Sequence, residues 1–105
     1  MKLTVILSIR ESHDEVAALL DKAGVRRFST VSIRGFKKNK HANLPNWFGE
    51  NAPNVKTNSI MFFCFTTDEE ASRLIATVDQ HNLDTGQAFP LHAFVMDVDQ
   101  HSQLL

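Results

Sequence analysis

The chain of 105 residues has the length of one ordinary domain. Eleven Lys and Arg against twelve Asp and Glu leave a formal net charge of −1, so the balance carries no electrostatic footprint for nucleic acid, and that class of partner is excluded. With 43% hydrophobic and 22% charged residues, wholesale disorder is excluded as well.

The lone cysteine, Cys64, rules out an intrachain disulfide and a CxxC zinc or redox motif. It fits a reducing compartment. The apolar start Leu3-Thr4-Val5-Ile6-Leu7 is broken at Ser8, Arg10 and Glu11, and no small-residue cleavage site follows. No run approaches the ~20 apolar residues that a membrane helix needs. A cytoplasmic protein is expected.

Leu3, Val5, Leu7 and Ile9 alternate with Thr4, Ile6 and Ser8, which predicts a first strand with Leu3, Val5, Leu7 and Ile9 as its core face. Ser12-His13-Asp14-Glu15 reads as a capping box, with Val16, Leu19 and Leu20 at helical spacing behind it. Gly24 is placed to end that helix in a left-handed conformation. Phe28 to Phe36, with Val31 and Ile33 two apart, predicts a second strand. Ile60 to Phe65 predicts a third, and Thr67-Asp68-Glu69-Glu70 a second capping box. Ala71, Leu74, Ile75 and Val78 then line one helical face. Asn82 to Gln87 reads as a turn-rich break, and Ala93 to Met96 as a fourth strand. Two strand–helix–strand units in one short chain predict a ferredoxin-like βαββαβ sandwich of the α+β class.

Between the halves, Lys37 to Asn58 holds six asparagines and two prolines with little apolar periodicity. Connections beyond about 12–15 residues are uncommon in compact domains and often functional. This segment is expected to project as a mobile loop between the second and third strands. Lys37 and His41 near its start, with the aromatic pair Trp47-Phe48, are its candidate partner contacts.

The third strand is apolar on both sides: Met61, Phe63 and Phe65 on one, Ile60, Phe62 and Cys64 on the other. The fourth strand behaves alike. A sheet with helices on one side should show polar residues on its other face, and each large wet side chain forgoes roughly 1.5–3 kcal/mol. A homo-oligomer that covers this face is predicted.

Catalytic motifs are missing: there is no nucleophile elbow, no HExxH and no common glycine-rich phosphate loop. No enzyme activity is expected. His13, His41, His81, His92 and His101 show no close ligand pair, which leaves a metal site only between subunits.

The order of parts resembles the trimeric PII-type signalling proteins from Lys2 to about Val98. Gly24-Val25-Arg26 resembles that family's G-V-R turn, and Arg34-Gly35-Phe36 its K-G-F. Lys38-Asn39-Lys40 is similar to the R-Q-K that opens its long T-loop. Thr85-Gly86 resembles the start of its nucleotide loop, T-G-x-x-G-D-G-K. The resemblance implies a single domain over 1–105, a homotrimer, a T-loop at 37–58, and an effector in the inter-subunit clefts. It implies a membrane transporter or a metabolic enzyme as the loop's target. Ser29 would meet a nucleotide, Asn39 would stand at the 2-oxoglutarate and metal position, and Lys38 and Lys40 match basic positions. Thr85 and Gly86 would cradle a phosphate, with His92 at the end of the same loop.

Two departures define the expectation further. Phe89-Pro90-Leu91-His92 replaces G-D-G-K, and Pro90 has no amide to offer a phosphate. The family's C-terminal R-x-R is replaced by Asp97, Asp99, Gln100 and His101. The expectation is a PII-like regulator that kept the scaffold and changed its effector, leaving the cofactor unassigned. The alternative is a divalent-metal-binding trimer resembling the CutA-type proteins. A small ferredoxin-like enzyme working at subunit interfaces ranks last.

Overall fold

The computed structural model describes residues 1–36 and 56–103. Four strands, β1 (Lys2–Ile9), β2 (Ser29–Phe36), β3 (Lys56–Thr66) and β4 (His92–Asp97), form one antiparallel sheet in the order β2-β3-β1-β4. Helices α1 (His13–Lys22) and α2 (Asp68–Thr85) complete the βαββαβ order, with a short 3-10 turn over Arg10–Ser12 leading into α1. This is the ferredoxin-like arrangement that the strand–helix–strand repeat predicts.

The core lies between the helices and one face of the sheet. Ile6, Ile60, Phe62 and Cys64 from the sheet pack with Val16, Leu20, Leu74 and Val78 from the helices, and Leu91 closes the cluster. Phe28 adds a tilted ring contact to Phe62, with centroids 5.7 Å apart.

The facing of β1 is opposite to the expected one. Thr4, Ile6 and Ser8 are buried toward the helices, whereas Leu3, Val5, Leu7 and Ile9 point away from them. The polar members of the buried set are satisfied: the Thr4 and Thr66 hydroxyls bond at 3.0 Å, and Ser8 Oγ donates to the Ile9 carbonyl. Alternation identifies the greasier face of a strand; it does not say which layer covers that face.

Helix ends show which local signals hold. Thr67 accepts from the Glu70 amide at 3.1 Å and the Glu70 carboxylate accepts from the Thr67 amide at 2.9 Å, so the second capping box is complete. Ser12 makes no such side-chain bond, because the 3-10 turn brings it in at φ −89°, ψ 8°, outside the extended geometry that capping needs. Gly24 has φ 90°, and the amides of Gly24 and Val25 return to the carbonyls of Asp21 and Leu20. That pair of bonds is a Schellman motif, and it directs Val25 into the core beside Leu20.

Two boundaries differ from expectation. Residues Asn82 to Thr85 are the last turn of α2 rather than a break, and Gly86 supplies the left-handed cap at φ 54°. Lys56, Thr57 and Asn58 belong to β3, opposite Phe36, Gly35 and Arg34. The expected loop is therefore shorter at its C-terminal end. Its remainder, with Lys37, Lys38, Asn39, Lys40, His41, Trp47 and Phe48, lies outside the described residues.

Candidate functional site

The sheet face that no helix covers is the dominant surface feature. Cross-strand register sorts its side chains into rows, because directly paired residues point to the same side. One row runs Ser29–Phe63–Val5–Phe94, the next Val31–Met61–Leu7–His92, and a third Ile33–Ser59–Ile9. Phe65, Leu3 and Met96 form the last row. Phe65 is 57% exposed, Met96 48%, Val31 44% and Phe94 38%, so these positions of the face are open, whereas Leu7 and Ser59 within it are buried. An apolar face of such continuity marks an interaction surface.

Ser29 and His92 both belong to this face, on opposite edge strands. Ser29 is exposed at the first position of β2. His92 opens β4, and its Nε2 is buried with no hydrogen-bond partner among the described residues. Three strand spacings separate β2 from β4, about 14 Å at the usual ~4.8 Å per step. Thr85 is the last residue of α2 and Gly86 its cap; the Thr85 hydroxyl donates to the His81 carbonyl within the helix. Within one chain, Ser29 is therefore not brought to His92.

Asn82 organises the loop that joins α2 to β4, and sequence reasoning missed it. Its Oδ1 accepts from the Leu91 amide at 2.9 Å and its Nδ2 donates to the Leu91 carbonyl at 2.8 Å. One side-chain amide thus closes residues 86–91 into a tethered loop and sets Leu91 in the core. An Asn nine residues ahead of a buried Leu carries no sequence signature. Gln87, in this loop, also keeps a buried Nε2 without a partner among the described residues.

The other described histidines are engaged. His81 Nε2 meets Glu15 Oε2 at 3.1 Å, linking α2 to α1. His13 bonds to Asp14 and tilts its ring over Phe62 at 5.4 Å, so it contributes to packing. His101 Nδ1 lies 2.7 Å from the Ser102 carbonyl. No group of three His, Cys, Asp or Glu side chains that could hold a metal occurs among the described residues. Cys64 is buried in β3, and burial, followed by the charge of Glu70, pushes its thiol pKa up. A thiol held protonated in this way is a poor nucleophile.

No family model matches the chain, and no curated protein does. Solved structures do. CPII, a nitrogen regulatory PII-like protein from Thiomonas intermedia K12 in a complex with ADP, AMP and bicarbonate, aligns with a TM-score of 0.66 at 19% identity, covering 98% of this chain and 94% of that one. A protein from Thermus thermophilus described as PII-like and signalling gives a TM-score of 0.65 at 14% identity, over 92% and 85% of the two chains. CPII with ADP, AMP and acetate gives 0.62 at 21% identity, over 92% and 84%. The chain has the fold of the PII-like signalling proteins, as its G-V-R, R-G-F and T-G segments imply.

Proposed function

We propose that this protein is a non-catalytic, PII-like regulator that works as a homotrimer. The uncovered apolar sheet face carries this reading. Copies that bury it against one another would remove Leu3, Val5, Phe63, Phe65, Phe94 and Met96 from water, at roughly 25 cal/mol per Å². They would also set the β2 edge of one subunit near the β4 edge of the next. A cleft formed in that way would unite Ser29 with Thr85, Gly86 and His92; the edge strands that carry Ser29 and His92 are about 14 Å apart in a single chain.

The effector is a small molecule or ion, and the nucleotides and bicarbonate named for CPII are the first candidates. The buried, unpartnered nitrogens of Gln87 and His92 support a ligand at this end of the sheet. Lys38, Asn39 and Lys40 complete the cleft, and Lys37, His41, Trp47 and Phe48 carry the signal to a transporter or an enzyme. The switch is differential: a ligand that contacts one arrangement of the 37–55 segment shifts the population that a partner meets. Thermal-shift titration of the full chain with ADP, AMP, ATP, 2-oxoglutarate and bicarbonate tests this reading. A saturable rise in Tm with one of them is expected. A flat response to all five would overturn effector binding of the PII-like kind.

A further inference from the structure

We propose that His92 makes the assembly of this chain pH-sensitive. Copies associate through the uncovered sheet face while the imidazole is neutral, and they separate when it takes up a proton. This is a regulation of the homotrimer proposed above and rests on that reading.

Facing isolates this histidine. It ends the row Val31–Met61–Leu7–His92, and no other described side chain of the uncovered face is ionisable. The ionisable strand residues Lys2, Arg34, Cys64 and Asp97 all hold register positions of the opposite, helix-covered facing. Residues 86–91, which lead into β4, contain no ionisable side chain. Ahead of them, α2 ends with His81, which meets Glu15, and Asp84, which accepts from Gln80. Arg10 and Glu11, in the turn after β1, are exposed. Asp99 and His101 follow the far end of β4. The described ion pairs accordingly do not include His92, and an imidazolium there has no described carboxylate to offset it.

Burial sets the sign. His92 Nε2 is buried without a hydrogen-bond partner among the described residues, so nothing described there would accept from its added proton. The ring as a whole is half-buried in one chain, and a second copy over the face removes its remaining water. With the imidazole neutral, the face bears no charge, and another copy of the same face is a matching surface. With the ring protonated, each copy carries an unpaired charge into an apolar contact, which is costly. Association therefore favours the neutral ring and weakens as pH falls. Imidazole is the side chain that ordinarily changes charge between about pH 5 and pH 8, which sets the range to test.

The test is sedimentation of the full chain in phosphate-free buffer at about pH 7.5 and about pH 5.5, over several concentrations, with circular dichroism at both. The association constant should fall by about tenfold or more at the lower pH while the dichroism of the fold persists. His92→Gln, neutral throughout, should bring the two constants within about twofold of each other. His92→Lys should weaken association at the higher pH to the level that the parent shows at the lower one. His101→Gln, in the exposed tail, should keep the parent's full pH response. A chain that is monomeric at both pH values overturns the assembly and the switch together. Assembly of equal strength at both, assembly that tightens at the lower pH, or a pH response that survives in His92→Gln overturns the switch alone.

Discussion

Ser29 and His92 point to the same uncovered face of one sheet from its two opposite edges, three strands apart. In the proposed assembly a second copy closes that gap, and the apolar rows between the two residues are what it would bury. Sedimentation of the purified chain should therefore show a species of about three times 11.8 kDa. Phe65→Asp or Met96→Glu should shift it to the single-chain mass while the circular dichroism of the fold persists, since both side chains are already half-exposed in one chain. A monomer of unchanged mass before and after substitution would refute the assembly.

The two faces of β3 should respond differently. Phe62 is 1% exposed in the core, so Phe62→Ala leaves a cavity and should destabilise the domain by about 3–5 kcal/mol, enough to unfold much of a marginal protein. Phe63, one residue on, belongs to the uncovered row with Val5. Its truncation should weaken association more than chain stability, which denaturation at several protein concentrations separates.

The sequence carried the element order clearly, because each strand and helix has its own apolar period. It carried the Thr67 cap and the Gly24 turn as well, since both are settled by residues within a few positions. It misled at Ser12, where a 3-10 turn changes the backbone entering α1, and at Asn82, whose partner Leu91 lies across a turn. The facing of β1 was illegible for a deeper reason. Leu3, Val5, Leu7 and Ile9 are the apolar set, yet the helices took the side bearing Thr4, Ile6 and Ser8. Only the packing of the whole chain decides which apolar face is covered from within.

Capping supplies a paired comparison. Thr67→Ala removes a bond that the structure shows and should lower stability by about 1 kcal/mol, or roughly 4–8 °C in Tm. Ser12→Ala removes no cap bond and should shift Tm by less than half as much. Equal losses at the two positions would mean that α1 is capped as α2 is.

The Asn82 tether should be visible in hydrogen exchange. Asn82→Ala deletes both bonds to Leu91 and leaves that amide and carbonyl unpaired, at about 1–3 kcal/mol. Exchange of the Leu91 amide should accelerate by an order of magnitude or more, while the β1–β3 ladder keeps its protection. Asn82→Asp retains the acceptor for the amide and loses the donor to the carbonyl, so its effect should be intermediate.

Lys2 and Asp97 pair across the β1–β4 edge, and the pairing acts on both titrations. The hydrogen bond to Lys2, then its charge, holds the Asp97 carboxyl below its ordinary range; the same bond and charge hold the Lys2 ammonium above its own. A depressed acid contributes stability that is present above its unfolded pKa and lost as pH falls through the folded one. A raised base contributes stability that is present below its unfolded pKa and lost as pH rises through the folded one. The pair is therefore effective between about pH 4 and about pH 10. Asp97→Asn should lower Tm slightly across that window and converge with the parent below it. Because the pair is exposed, the difference should shrink as salt is raised toward 1 M, where the screening length is about 3 Å. A deficit at pH 7 that is unchanged in high salt would show that Asp97 acts through something other than its charge.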